Sequence, residues 1–133
     1  MIEILGSIFV LSSMLGCAAA LVPDTPEPEK KLANAFFLID NGRSLPAKKL
    51  IGEALEIYRE RKDDAGTAQS LSALGDLYRN GRTQGDLKLP DYAKAIENYR
   101  NAASIYRKQV MPKWVALNIW AMAVSQVGLA DVK

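Results

Sequence analysis

Cys17 is the residue of this chain whose type and setting indicate a specific covalent chemistry. It is the only cysteine among the 133 residues, and it follows an uncharged, mostly apolar run from residue 4 to residue 16. With a single thiol, neither an intrachain disulfide nor a cysteine-based metal site can form. A short apolar run that ends at small residues, here Cys17 and three alanines, is typical of the processing site of an exported chain.

The other reactive residue types do not form a catalytic set. The chain has no histidine, which removes the commonest general base, the commonest metal ligand and the middle member of most nucleophile triads. Carboxylates such as Glu53, Glu56 and Glu60 stand beside arginines and lysines at helical spacing, as exposed ion-paired residues do. There is no glycine-rich phosphate loop. We therefore predict that the protein is not an enzyme and uses no cofactor and no metal.

The charge pattern argues against binding to nucleic acid. The net charge is +2, and Lys and Arg alternate with Asp and Glu along the chain, as in residues 53–66. Nucleic-acid-binding domains instead cluster their basic residues on one face. We predict that the chain binds no nucleic acid.

The tetrapeptide Met14-Leu15-Gly16-Cys17 resembles the lipobox of bacterial lipoproteins. The resemblance implies that residues 1–16 are a signal peptide, and that Cys17 is lipidated and becomes the first residue of the mature chain. Ala18 follows where lipoproteins kept in the inner membrane carry Asp, so the resemblance implies the periplasmic face of the outer membrane. Two alternatives remain open, namely an uncleaved membrane anchor over residues 4–22 and ordinary secretion after cleavage.

Residues 17–28 join this segment to the folded part. The overlapping stretch of residues 22–29 holds three prolines and three acidic residues. Proline-rich chain of this kind is stiff and extended. We predict that residues 17–28 are a spacer that holds the body away from the lipid.

From residue 29 onward the apolar residues recur three and four positions apart, which predicts helices. Turn-forming residues at 41–46, 63–66 and 80–90 divide the pattern, and Pro112 begins a last helix. We predict an all-α fold of five helices near 29–40, 46–62, 66–80, 90–109 and 112–128. The loop 82–91 contains glycine, proline and charged residues, so we predict that it is an exposed insertion outside the core.

The predicted helices repeat. Asn41-Gly42-Arg43 recurs as Asn80-Gly81-Arg82 at an offset of 39, and residues 47–60 align with residues 95–108 at an offset of 48. Repeats of about 40 residues with two helices each predict a short solenoid of helical hairpins.

The repeats resemble the tetratricopeptide family and its Sel-one-like variant. Leu71, Leu74, Gly75 and Tyr78 stand at the spacing of the first helix of such a repeat, and Ala95 begins the pattern of the second. The resemblance implies a solenoid over residues 29–133 that binds another protein on its concave side.

The resemblance also indicates which positions bind. In that family, positions 2, 5, 9 and 12 of each first helix line the concave groove. The matching residues of this chain include Gln69, Ser72, Asp76 and Arg79, with Phe37 from the first helix and Leu117, Trp120, Val124 and Val127 from the last.

The last predicted helix is apolar on nearly every side, and we expect it to be the main binding surface. By the offset of 48, Ile119, Met122 and Ala123 face the preceding hairpin, while the groove positions remain in water. An apolar patch made of the four groove positions of this helix is unusual on an isolated monomer. Two alternatives stay open: Trp120 packs on Phe37 of the same chain, or two copies form a homodimer through this helix.

Two functions are compatible with these expectations. Small periplasmic lipoproteins with such repeats resemble immunity proteins that neutralise a toxic effector, such as a phospholipase delivered by type VI secretion. Other tetratricopeptide lipoproteins are assembly scaffolds of an envelope machine, a pilus or a secretion system. We expect immunity, with the scaffold as the alternative.

Overall fold

The computed structural model describes residues 22–133. Cys17 and the predicted signal peptide lie outside the described residues. The described part consists of five α-helices and contains no strand beyond one isolated bridge between Gln84 and Leu87. The helices are α1 (Pro28–Asp40), α2 (Ser44–Glu60), α3 (Asp64–Asn80), α4 (Tyr92–Lys108) and α5 (Pro112–Asp131). The prediction of an all-α fold with five helices is confirmed.

Four of the five described helices begin where a favourable residue stands. Proline occupies the first turn of α1 and of α5, where its missing N–H costs nothing because the first N–H groups of a helix have no partner within it. The carboxylate of Asp63 accepts from the N–H of Gly66, and that of Asp91 accepts from the N–H of Lys94. These side chains satisfy free N–H groups and fix the starts of α3 and α4.

Two helix ends related by the offset of 48 are closed by the same hydrogen bonds. The carbonyl of Tyr58 accepts from the N–H of Asp63, and the carbonyl of Tyr106 accepts from the N–H of Met111. In both turns the residue before the donor has a positive φ, as this type of helix termination requires. The sequence repeat is therefore repeated in backbone geometry.

The helices pack in chain order, and α1 also contacts α3. Three of the four connections are three residues long, which makes neighbouring helices antiparallel. Residues paired by the sequence offsets are buried alike. At an offset of 39 these pairs are Leu32 with Leu71, Leu38 with Leu77 and Ile39 with Tyr78, and at 48 they include Ala54 with Ala102 and Tyr58 with Tyr106.

The loop between α3 and α4 is part of the packed structure, so the prediction that it lies outside the core is wrong. Leu87 and Leu89 are half-buried, and both pack against the cluster that contains Tyr78 and Tyr99. Leu89 also reaches the cluster of the first hairpin. The reason is the alternation of apolar with polar residues, which turns both leucines inward while the charged residues stay in water.

The described residues before α1 contact the first hairpin. Val22 packs against the core of the first hairpin, the carbonyl of Pro23 accepts from Asn34, and Asp24 pairs with Lys31 at 3.5 Å. Lys31 is buried and also binds Glu53 at 2.6 Å. The expected stiff spacer is therefore wrong for residues 22–24, which pack beside α1 and α2.

The orientation of α5 also differs from the prediction. Its buried residues are Asn118, Ala121 and Ser125, while Ile119 and Ala123 are exposed and only Met122 is half-buried as expected. The small residues allow α5 to approach α4 closely, and the polar ones are satisfied by hydrogen bonds. Several large apolar residues of α5 are therefore exposed, namely Trp114, Leu117, Ile119, Trp120, Val124 and Val127.

Candidate functional site

A cleft between α3 and α5 brings together five of the residues predicted to bind a partner. Its volume is about 200 Å³, and we name it the α3–α5 groove. Three of them stand on successive turns of α3, namely Ser72, Asp76 and Arg79. The other two stand on successive turns of α5, namely Leu117 and Trp120. The full lining is Ser72, Asp76, Arg79, Tyr99, Trp114, Leu117, Asn118, Trp120 and Ala121.

Arg79 occupies the centre of the groove. Its guanidinium carbon lies 5.6 Å from the ring centre of Tyr99 and 5.6 Å from that of Trp120, so two cation–π contacts hold the group. The guanidinium also lies 3.5 Å from Asp76 Oδ1. Its Nε is buried and has no hydrogen-bond partner within residues 22–133. Arg79 is thus held in place, and because its Nε is enclosed, only its terminal guanidinium nitrogens can meet a partner.

Asp76 and Tyr99 form a short hydrogen bond behind Arg79. Tyr99 Oη donates to Asp76 Oδ1 at 2.5 Å. Burial raises the pKa of Asp76, although the tyrosine hydrogen bond and the Arg79 charge act in the opposite direction. Burial, together with the nearby carboxylate, also raises the pKa of Tyr99, so the phenol keeps its proton and acts as the donor.

The far wall of the groove is a side-chain network between α3 and α5. Ser72 Oγ donates to Asn118 Oδ1 at 2.8 Å, and the Asn118 amide donates to the carbonyl of Trp114 at 2.9 Å. Trp114 in turn stacks on Tyr106, with ring centres 5.8 Å apart. Because buried polar groups here are mutually satisfied, this wall is rigid.

Four predicted binding residues lie elsewhere. Gln69 lines a neighbouring cleft with Tyr58 and Trp114, and Phe37 is 49% exposed on α1, outside the lining of the groove. Val124 and Val127 are exposed on α5 but do not line the groove. Trp120 is 61% exposed, so the alternative in which it is buried against Phe37 is wrong.

The groove positions implied by the tetratricopeptide resemblance do not include four of the lining residues, namely Tyr99, Trp114, Asn118 and Ala121. Tyr99 is 2% exposed, so most of its ring lies in the core. Asn118 carried a usable signal, since it is a polar residue in the middle of an otherwise apolar helix. Such a residue has to find a hydrogen-bond partner if it is buried, and Ser72 is that partner.

The groove is suited to protein side chains. Its volume is below the roughly 300–1,000 Å³ of most small-molecule sites, and it offers one cation, one carboxylate and aromatic walls. Within residues 22–133, no cluster of three or more acidic, cysteine or histidine side chains is placed to hold a metal ion. In the same part of the chain, no helix is both long and apolar enough to cross a membrane.

No family model matches the chain, and comparisons with curated proteins and with solved structures found no significant similarity.

Proposed function

We propose that this protein is a non-enzymatic, protein-binding lipoprotein of the bacterial envelope. Its helices form a short tetratricopeptide-like solenoid, and its partner inserts side chains into the α3–α5 groove. The observation that carries the proposal is the position of Arg79 between Tyr99 and Trp120, beside Asp76. The terminal nitrogens of a planar guanidinium held by two rings are suited to a carboxylate or carbonyl oxygen of another protein.

The amino-terminal chain supports a position close to the lipid. Because Val22 packs on the first hairpin, only the five steps from Cys17 to Val22 separate the proposed acyl chains from the body. Extended chain covers at most about 18 Å over that length. An outer-membrane anchor at Cys17 would thus keep the body at the periplasmic membrane surface.

We further propose that the partner is a toxic effector and that the protein confers immunity to it. A rigid groove held at a membrane surface is well placed to bind an enzyme that attacks lipids, such as a phospholipase delivered by type VI secretion. Binding then neutralises the effector by covering its active site or by keeping it from its substrate. The protein needs no catalytic activity of its own to neutralise the effector in this way.

Capture from envelope extracts tests the proposal. The tagged full chain is compared with Arg79→Gln, which keeps a polar side chain but removes the cation, and with the matched control Arg100→Gln on the exposed surface of α4. We expect the wild type and the control to retain the same protein and Arg79→Gln to lose it by tenfold or more, about 1.4 kcal/mol. Equal retention by all three would contradict binding in the groove.

The identity of the captured protein separates the two functions. Under immunity, it is toxic when produced in the periplasm without this chain, and cells recover when the chain is produced with it. Under the scaffold alternative, the captured protein is a subunit of a pilus or a secretion system, and its production alone is harmless. A scaffold would also leave the activity of its partner unchanged.

A further inference from the structure

The exposed surface of α5 carries a regular stripe. Lys113, Leu117, Trp120, Val124, Val127 and Asp131 follow each other at intervals of four, three, four, three and four residues. This alternation is the spacing of the a and d positions of a heptad, by which two helices pack along each other as a coiled coil. We name these six residues the α5 seam.

The seam is open to solvent over its whole length. Leu117, Trp120, Val124 and Val127 are 46, 61, 39 and 62% exposed, and Lys113 and Asp131 are exposed at its ends. The four apolar side chains leave a patch on the order of 400 Å², a size that on monomers is often functional. With the flanking side chains, two such patches bury on the order of 1,000 Å², the lower bound for a specific interface.

The order of residues along the seam is self-complementary. When two copies of α5 lie antiparallel, with the two-fold axis between Trp120 and Val124, Lys113 of each copy meets Asp131 of the other. Leu117 then meets Val127, and the large Trp120 meets the smaller Val124. Residues of the a type oppose residues of the d type, as antiparallel heptad packing requires, and the two helix dipoles oppose each other favourably.

The parallel arrangement lacks these features. It places Lys113 against Lys113 and Asp131 against Asp131, so that like charges repel at both ends of the interface. It also places the two Trp120 side chains at the same level. The charges at the ends of the seam therefore select the antiparallel arrangement.

We propose that the α5 seam binds the seam of a second copy of this chain, antiparallel and in this register. In a two-fold interface, two residues at equal distances from the axis meet twice, so opposite charges at the two ends of the seam form two ion pairs. Binding of an unrelated partner gives no reason for this symmetric placement of charge. Leu117 and Trp120 belong both to the seam and to the lining of the α3–α5 groove, so the pairing covers the α5 side of each groove and leaves Ser72, Asp76 and Arg79 on α3. The pairing does not depend on the proposed function.

Cysteine crosslinking in membranes of cells that produce the full chain tests this register. In the antiparallel pair, Leu117 of one copy faces Val127 of the other, while the two Leu117 residues lie about 15 Å apart along the axis, ten residues at 1.5 Å each. A disulfide needs Cα atoms within about 7 Å. Leu117→Cys with Val127→Cys therefore gives a disulfide-linked dimer under mild oxidation, and neither single variant does.

Two controls set the background. The parental chain has Cys17 as its only cysteine, so its dimer yield measures any crosslink through that residue. Glu97→Cys with Arg107→Cys places two cysteines ten residues apart on the exposed side of α4. Dimer from Leu117→Cys alone, at the yield of the double variant, overturns the antiparallel register. Double-variant yield no higher than both controls overturns the pairing, and another protein, lipid or a further segment of this chain then covers the seam.

Charge reversal in the crosslinking variant provides an independent test. Lys113→Glu places a second carboxylate against Asp131 at both ends of the interface and should lower the dimer yield by about two- to fivefold, as expected for exposed ion pairs. Adding Asp131→Lys restores opposite charges and should restore the yield. A loss that Asp131→Lys does not repair overturns the register.

Discussion

Tyr99 Oη donates a 2.5 Å hydrogen bond to Asp76 Oδ1 and so joins α4 to α3 behind the groove. We expect Tyr99→Phe to lower the free energy of unfolding by about 1–2 kcal/mol, because a half-buried carboxylate loses its closest donor. Tyr78→Phe is the matched control, since the Tyr78 hydroxyl makes no hydrogen bond within residues 22–133. Urea denaturation measures the free energy of unfolding of both variants. If Tyr99→Phe and Tyr78→Phe lower it by the same small amount, the hydrogen bond adds nothing to stability.

The same pair predicts a dependence of stability on pH. Because burial raises the pKa of Asp76 in the folded state, the folded protein binds this proton more tightly than the unfolded chain does. The contribution of Asp76 to stability is therefore fully present below the unfolded pKa and is lost as the pH rises through the folded pKa.

Asp76→Asn removes this titration while leaving an oxygen that accepts from Tyr99. We expect the stability of Asp76→Asn relative to the wild type to increase as the pH is raised from about 4 toward 7. Urea denaturation of both proteins at several pH values measures the difference. A difference that is constant over this range would mean that the pKa of Asp76 is the same in the folded and unfolded states.

The loop between α3 and α4 provides a third prediction. Leu89 packs against the clusters of both hairpins, so Leu89→Ala should lower the free energy of unfolding by about 1–2 kcal/mol, less than the 2–5 kcal/mol of a fully buried leucine. Lys88→Ala, its exposed neighbour, is the control and should change stability by less than about 0.5 kcal/mol. If Leu89→Ala loses as little stability as Lys88→Ala, Leu89 does not contribute to the core, and the loop is an insertion outside it.

The helices of this fold could be predicted because turn-forming residues separate them and because burial repeats at fixed offsets. Leu32 and Leu71, or Tyr58 and Tyr106, are buried at equivalent places. The α3 side of the groove came from the resemblance to the tetratricopeptide family, whose groove positions match residues of α3. Ser72, Asp76 and Arg79 stand on the side of α3 that its apolar pattern leaves polar.

The rotation of α5 could not be predicted in this way. A helix that is apolar on nearly every side gives no direction for its buried face, and the offset of 48 placed Ile119 where Asn118 lies. Which side of α5 is buried depends on its contacts with residues distant in sequence. Asn118 is buried because Ser72 provides a hydrogen bond, and Gly128 lies so close to Tyr92 that a Cβ there would be 2.6 Å from its ring.

Two glycines in helices should respond to alanine in opposite directions. At Gly75 an added Cβ would lie 2.5 Å from the Tyr99 ring, whereas at Gly52 it would meet no atom within 4 Å. We expect Gly75→Ala to destabilise the fold by about 1–3 kcal/mol through overpacking and Gly52→Ala to stabilise it by about 0.5–1 kcal/mol through helix propensity. Thermal unfolding of both variants compares the signs directly, and a stabilised Gly75→Ala would show that α3 and α4 are loosely packed.

The last prediction concerns Cys17, which lies outside the described residues. The lipobox-like Met14-Leu15-Gly16-Cys17 leads us to expect acylation of Cys17 and removal of residues 1–16. Cells grown with labelled palmitate should label the wild type and leave Cys17→Ser unlabelled. Cys17→Ala is a second control for the size of the side chain. Unlabelled wild type at full precursor mass would support the uncleaved anchor, and unlabelled protein of mature mass would support ordinary secretion.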